Sequence, residues 1–264
     1  MRYYLGMDDT DTLDAPYGTG KVARWFESSL PAGCKLAGVV RQQLLVHPDV
    51  PYTSHNSSAC LIIEAENGRH RSLLIKAATA HLEAHSLKGS DPGLCLVNEA
   101  EDEISLLMEF GQRCTRQVMS RSQAFSLANR TGIHLSAHGG TGDGVIGAMA
   151  SVGLTAWGWA GRYIEFGDLR KLPDKISVSE LREQGVLVSS IDRDALPPAD
   201  RDMVYTHGWC RPSHMGGKPV LLVRNAGQGI WHSLGRKRNN QKASVPEVLK
   251  GSSMEHNHDF CVSD

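Results

Sequence analysis

The sequence predicts an α/β fold, a mixed α+β sheet layered with helices, followed by a smaller strand-rich C-terminal lobe. Three observations carry this. Apolar runs of strand length alternate with helically periodic segments through about residue 165. The pattern changes after Phe166, where Pro173, Pro197-Pro198 and a charged run over 192–202 interrupt it and only short apolar runs follow. At 264 residues with 41% hydrophobic content, the chain can bury one large core or two modest ones. The expected units are a nucleotide-binding α/β domain at 1–166, a smaller α+β lobe at 167–235, and a polar, aperiodic, disordered tail at 236–264.

Taken in order, residues 2–7 read as a strand carrying Tyr3, Tyr4, Leu5 and Met7, and it ends in three carboxylates within four residues: Asp8, Asp9 and Asp11. The turn Asp14-Ala-Pro-Tyr-Gly18 follows. Over 21–30, Val22, Trp25 and Phe26 share a helical face, which Pro31 and Gly33 terminate. A second strand is expected over 36–46, with Arg41 and His47 bracketing Leu44-Leu-Val46. After Pro48-Asp-Val-Pro-Tyr52, the polar stretch Thr53-Ser-His-Asn-Ser-Ser58 feeds a third strand at 59–64. That stretch is either the lining of a ligand pocket beside Arg41 or a plain loop. Asn67-Gly68 closes the strand, and 72–85 is periodic as a helix. The turn Ser90-Asp-Pro-Gly93 leads to an apolar run at 94–97. Residues 99–132 read as helical with breaks near Gly111 and Ser120, and 162–165 as a short strand. In the C-terminal lobe, 186–189, 203–205 and 220–223 are strand candidates. His207-Gly-Trp-Cys-Arg-Pro212 and Met215-Gly-Gly-Lys-Pro219 are turns between them.

Composition narrows the function. A net charge of −1 gives no global footprint for nucleic acid, so any RNA contact must be local. The basic cluster Arg236-Lys-Arg238 is the candidate for such a contact, against the plain reading of a solvated charge run. Six cysteines (Cys34, Cys60, Cys95, Cys114, Cys210, Cys261) are scattered without a C-x-x-C pair, which argues against a zinc ribbon or disulfide framework and fits a reducing cytoplasm. Asp8 and Asp9 interrupt the N-terminal apolar stretch, so no signal peptide is expected. No run of 18 apolar residues predicts a membrane span. In the tail, His256, His258 and Cys261 could join Cys210 as metal ligands, or the tail is simply mobile.

Two stretches carry chemistry. Three close carboxylates repel by roughly 1 kcal/mol or more per pair at surface dielectric. A hard divalent ion such as Mg²⁺ relieves that repulsion with one or two carboxylates plus substrate phosphates. The competing reading is an Asp-rich turn whose side chains cap their own backbone. The second stretch, 134–153, has five glycines within nine positions, Gly139, Gly140, Gly142, Gly144 and Gly147, ahead of a small-residue helix starting near Val145. A glycine loop at a helix N-terminus suits phosphate. Gly142-Asp-Gly-Val-Ile-Gly147 also matches G-x-G-x-x-G with Glu165 about 20 residues on, so a dinucleotide site competes, as does tight packing through Gly147 and Ala148.

Several segments then recur in one family in the same order. They are Gly6-Met-Asp-Asp-Thr-Asp11 with Thr19, Arg41 with His47-Pro-Asp-Val-Pro-Tyr52, Asp91-Pro-Gly93, Gly144-Val-Ile-Gly-Ala-Met-Ala-Ser-Val-Gly153, and Gly217-Lys-Pro-Val-Leu-Leu222. Over about residues 1–232 the chain resembles the N-terminal, kinase-like plus ferredoxin-like half of the TiaS family. These are the archaeal tRNA 2-agmatinylcytidine synthetases, which use ATP to activate a tRNA cytidine. No segment reads as that family's OB-fold or zinc-ribbon module, and the family's Thr-Thr-Tyr becomes Thr19-Gly20-Lys21. The resemblance implies ATP and Mg²⁺ as cofactors. It places Asp8, Asp9 and Asp11 in the family's acidic metal-binding segment and matches Thr19 to its autophosphorylated threonine. From the residues themselves, Thr19 also reads as an N-cap on the 21–30 helix. The expected mechanism has the three aspartates holding Mg²⁺ on the phosphates. Gly139, Gly140, Gly142 and Gly144 would cradle phosphate oxygens, and Lys21 and Arg41 would neutralise developing charge. Three classes of function stay open. They are an ATP-dependent phosphoryl-transfer or activating enzyme acting on a nucleoside, tRNA or small molecule, a nucleotide-dependent RNA-binding module, and a dinucleotide-dependent oxidoreductase. For the first, tRNA itself or a separate RNA-binding protein is the expected partner.

Overall fold

Alternation along the first strand sets up the layers of the molecule, a computed structural model that describes residues 1–50, 55–193 and 196–234. On β1 (Arg2–Asp8) Tyr3, Leu5 and Met7 face one side and Tyr4 and Gly6 the other. β1 lies between β3 (Ser57–Ala65) and β4 (Gly93–Asn98). β2 (Cys34–Gln43) and β6 (Arg162–Glu165) extend the sheet beyond β3, and β5 (His134–Ala137) extends it beyond β4. Every neighbouring pair in this β5-β4-β1-β3-β2-β6 run is antiparallel.

Helices cover both faces. α1 (Thr19–Trp25), its 3₁₀ continuation Phe26–Ser29, and α2 (His70–His85) bury Val22, Phe26, Leu74 and Leu82 against Tyr3, Leu5 and Met7. On the other face, α3 (Ile104–Cys114), α4 (Arg121–Thr131) and α5 (Gly144–Trp157) pack Leu107, Phe110, Val145 and Met149 onto Tyr4, Cys60 and Cys95. The α5 helix carries no charged residue and is buried on most of its circumference. Its seat on β1 needs Gly6, because a Cβ there would lie 2.1 Å from the Ala148 carbonyl oxygen. Gly111 does not break the helix as expected. α3 runs through it, and a Cβ at that position would come within 2.8 Å of the Ala150 oxygen, so close helix packing explains the glycine. The break falls at 115–120, where Ser120 and Gln123 form a capping box for α4.

The strand-rich lobe contains more than the sequence suggested. It has β7 (Lys175–Ser177), α6 (Val178–Glu183), β8 (Leu187–Ser190), β9 (Met203–Tyr205), β10 (Ser213–Met215), β11 (Lys218–Gly227) and β12 (Ile230–Ser233). Sequence periodicity anticipated β8, β9 and β11 but not β7, α6, β10 or β12. The segment 215–219 is the β10–β11 hairpin, turning at Gly216 and Gly217 with φ of 60° and 72°. β10 pairs with β6 at Ser213 and Arg162, so the sheet runs on as β6-β10-β11-β12-β9-β7, with β8 parallel to β11. Beside this seam the buried His214 places Nδ1 2.9 Å from the Tyr163 hydroxyl and Nε2 2.9 Å from the Thr155 carbonyl oxygen. Burial lowers its pKa. Arg236-Lys-Arg238 and the candidate ligands His256, His258 and Cys261 lie outside the described residues. Cys210 is buried, which pushes its thiol up to about 12 and keeps it neutral. Among the described residues no helix is long and apolar enough to cross a membrane.

Candidate functional site

The acidic segment leaves β1 with a left-handed residue. Asp9 has φ of 51°, a conformation that costs an L-residue on the order of 1 kcal/mol. The turn gives each of the three carboxylates its own backbone partner. The Asp8 carboxyl sits where a Cβ on Gly147 would be, at 1.6 Å from Oδ2, and accepts the Asp9 N–H. Asp9 accepts the Asp91 N–H. Asp11 Oδ1 accepts from both the Thr19 N–H and the Thr19 hydroxyl at 3.2 Å. Thr19 is thus the first residue of α1 rather than its N-cap, which is Gly18. Its Oγ1 also accepts from the Thr10 N–H and hydroxyl, each at 3.2 Å.

Burial, then repulsion from Asp9 and Asp11, raises the Asp8 carboxyl to about 8. Burial, then Asp91, Asp11 and Asp143, raises Asp9 to about 6. Asp8 therefore holds its proton through neutral pH unless positive charge arrives, whereas Asp9 gives its proton up on the acid side of neutrality. Among the described residues no three His, Cys, Asp or Glu side chains are grouped so as to hold a metal ion by themselves. The oxygen-only donors Asp8 and Asp9 instead fit a hard cation that keeps water and takes its remaining ligands from a bound phosphate.

A cavity of about 590 Å³ opens from this wall. Facing the three aspartates are six cationic side chains: Lys21, Arg24, Arg41, Arg162, Arg170 and Arg211. Lys21 and Arg24 lie three apart on α1, and Lys21 Nζ is held 5.2 Å from the Trp25 ring centroid. Arg41 and Arg162 are directly opposite each other across β2 and β6, a like-charge pairing that destabilises a sheet when nothing lies between. Arg41 Nε donates to Ser57 Oγ at 2.9 Å, and burial lowers its pKa. Arg24 meets Glu165 at 3.5 Å. From the second lobe, the Arg211 guanidinium lies 3.9 Å from the Trp209 ring centroid. Burial and then the nearby Arg170 pull Arg211 down to about 10. Cations outnumber carboxylates two to one here, which suits a polyanion with a cation at its acidic end. His55, Asn56, Ser57 and Ser58 line the same cavity, as the pocket reading of that stretch expected. Residues 51–54 lie outside the described set.

A second cavity of about 580 Å³ shares Asp8 and Asp9. It adds Asp91 and Asp143 to apolar walls from Leu44, Met119, Phe125 and Ile146, and Gly144 lines it. Gly139, Gly140 and Gly142 line neither of these cavities. Their loop closes on Asp91 instead. The Thr141 N–H donates to Asp91 Oδ1 at 2.7 Å, its hydroxyl donates to Oδ2, and a Cβ on Gly140 would overlap that carboxylate. The phosphate cradle expected at 139–144 is therefore not at the basic cavity. The dinucleotide reading also loses its context. β5 and β6 sit at opposite ends of an antiparallel run, so α5 is no crossover between parallel neighbours, and Glu165 is paired with Arg24. Sequence reasoning missed Arg24, Arg162, Arg170, Trp209, Arg211, Asp91 and Asp143. Arg24 is legible one helical turn after Lys21, and Trp209 with Arg211 stands within 207–212, a stretch whose composition reads as a turn.

Fold and site together define a three-layered α/β protein with a strand-rich lobe and a cleft built for a polyanion beside a carboxylate cluster. No family model and no curated protein matches the sequence. Among solved structures, the chain is similar to a tRNA fluorescent labelling enzyme, with 25% identity and a TM-score of 0.50, covering 58% of this chain and 36% of that one. It is also similar to TiaS in its complex with an isoleucine tRNA and ATP, at 24% identity, a TM-score of 0.50 and the same coverages. For TiaS with that tRNA, AMPCPP and agmatine the values are 20%, 0.50, 69% and 44%. The TiaS likeness read from the motifs is thus present in the fold. The chain spans between a third and a half of the length of these proteins.

Proposed function

We propose that this chain is an ATP- and Mg²⁺-dependent phosphoryl-transfer module that activates an acceptor in tRNA modification. The observation that supports it is the single cavity in which Asp8, Asp9 and Asp11 face Lys21, Arg41, Arg211 and the other arginines, with the Thr19 hydroxyl in its wall. Phosphoryl transfer needs positioning and charge neutralisation more than covalent chemistry. The arginines would bind and orient the triphosphate, and they lose their mutual repulsion in doing so. Bound Mg²⁺, held through Asp8 and Asp9, would neutralise phosphate charge and offset the repulsion between the carboxylates. Asp11, which accepts a hydrogen bond from the Thr19 hydroxyl, would take that proton as the hydroxyl oxygen attacks the γ-phosphorus, the bond to the bridging oxygen breaks and ADP leaves. To become a nucleophile, Thr19 must give up one of its two hydrogen bonds from Thr10. The TiaS complex with ATP and an isoleucine tRNA supports nucleotide and tRNA as ligand classes.

The test is incubation with γ-labelled ATP and Mg²⁺, followed by peptide mass analysis. Phosphate on Thr19 that is lost in Asp11→Asn is expected. Absence of both labelling and MgATP binding by calorimetry would refute the reading.

A further inference from the structure

The second lobe carries a cluster of rings that the cavity does not use. Four residues form one cross-strand row: Lys175 on β7 opposite Tyr205 on β9, Tyr205 opposite His232 on β12, and His232 opposite Arg224 on β11. Their sequence neighbours Ile176, Val204, Trp231 and Val223 are buried in the core, so the row lies on the outer face. His207 joins the row from the loop after β9 in a left-handed conformation, with φ of 55°. The three ring centroids stand 5.0 Å (His207–His232), 5.3 Å (Tyr205–His232) and 6.5 Å (Tyr205–His207) apart, with interplanar angles of 14°, 17° and 30°. These distances close a triangle, which a face-to-face pile of three rings cannot do. The contact between His207 Nε2 and His232 Nδ1 at 2.9 Å confirms an edge-to-edge approach, because ring nitrogens bond in the ring plane. His207 thus meets His232 edge to edge while Tyr205 is offset-stacked on His232, and the three rings form one contiguous aromatic group on the outer face.

We propose that this surface is a stacking platform for unpaired bases of a single-stranded RNA segment. An exposed aromatic group accepts any base on a free π-face, and the local charges suit a phosphate chain. Lys175 Nζ lies 5.4 Å from the Tyr205 centroid at one end of the row, and Arg224 closes the other, both exposed. Arg224 has a carboxylate neighbour, Asp192, 3.8 Å away on an open surface, where such a pair is weak. With a net charge of −1 the chain must hold RNA through a local patch of this kind. The loop that places His207 on the platform also carries Arg211 into the basic cavity. They are four positions apart, at most about 14 Å of extended chain, so an RNA strand stacked here has a nucleotide or two of reach to that cavity. The inference stands without the phosphoryl-transfer reading, since it uses none of the cavity residues.

The experiment is fluorescence anisotropy of a fluorescein-labelled short oligouridylate with the full chain at low salt. The variants are Tyr205→Ala, Tyr205→Phe, His207→Ala and the pair Lys175→Gln with Arg224→Gln. Each alanine variant is expected to weaken binding roughly five- to a hundred-fold, Tyr205→Phe to keep it, and the charge pair to flatten the salt dependence. His207 is exposed and outside any strand, so its variant reports even if Tyr205→Ala fails to fold. Unchanged affinity in His207→Ala and Tyr205→Ala, no binding by the parent, or displacement by UMP as effective as by the oligomer would each overturn the platform. MgATP calorimetry on the same samples reads the cavity separately.

Discussion

Asp8→Asn should make the protein more stable as the pH rises. The Asp8 carboxyl is raised from an ordinary 3.8 to about 8 in the folded chain, chiefly by burial. Below pH 4 folded and unfolded chains both hold the proton, and the full stability is present. Between pH 4 and 8 the unfolded chain has lost the proton while the folded chain retains it, so stability falls as the pH rises through that window. At about 1.4 kcal/mol for each tenfold change in proton affinity, that interval sets a ceiling of about 6 kcal/mol. Water entering the cleft as the group ionises reduces this, and about 2 kcal/mol is the expected effect at pH 8. Asparagine keeps the shape and has no proton to lose. In thermal unfolding from pH 3.5 to 8.5 without divalent ions, the variant should match the parent at pH 3.5 and pull ahead of it as the pH rises. At pH 8 it should melt about 4–8 °C higher. Added Mg²⁺ with nucleotide should stabilise the parent and not the variant. Parallel curves across the whole range would refute the claim that Asp8 is held protonated by its surroundings.

Two further substitutions probe the same architecture. Arg211→Ala should weaken MgATP binding by about ten-fold or more in calorimetry, the loss expected for a charge-assisted phosphate contact, while the melting temperature stays level or rises because Arg170 loses a repulsive neighbour. Gly111→Ala should destabilise by about 1–3 kcal/mol in chemical denaturation, despite alanine's better helix propensity, because its Cβ would lie 2.8 Å from the Ala150 oxygen.

The layered sheet and its helices were legible where the chain runs long enough for a period to show. β1, β3 and α2 each span at least seven residues, with β3 marked by an unbroken apolar run and α2 by helical spacing. β7 and β10 have three residues apiece and no period to detect, and they exist because a neighbouring strand supplies their hydrogen bonds. Gly111 misled because a helix-weakening residue and a packing residue look identical in sequence. The acidic half of the site was visible, since Asp8, Asp9 and Asp11 are consecutive or nearly so. Of its basic half, Lys21 and Arg41 were named from the sequence, but Arg162, Arg170 and Arg211 come from distant parts of the chain and meet only through the sheet. The glycine run illustrates the reverse. Its local pattern fits phosphate, yet the Thr141 N–H and hydroxyl are taken up by Asp91.

The seam between β6 and β10 sets the energetics of an empty cleft. Besides the Arg162–Ser213 pairing, Tyr163 N–H donates to the Pro212 oxygen at 2.8 Å and His214 N–H to the Gly161 oxygen at 3.0 Å. These bonds anchor the Arg211 segment in the cleft beside Arg170 and Arg24, whose charges repel its guanidinium. Folding therefore does work against that repulsion before any ligand arrives, and the cleft behaves as a compressed spring with the strand joint as its latch. An anion entering between the arginines would release the compression. Part of its affinity would then come from work already done when the two lobes were joined.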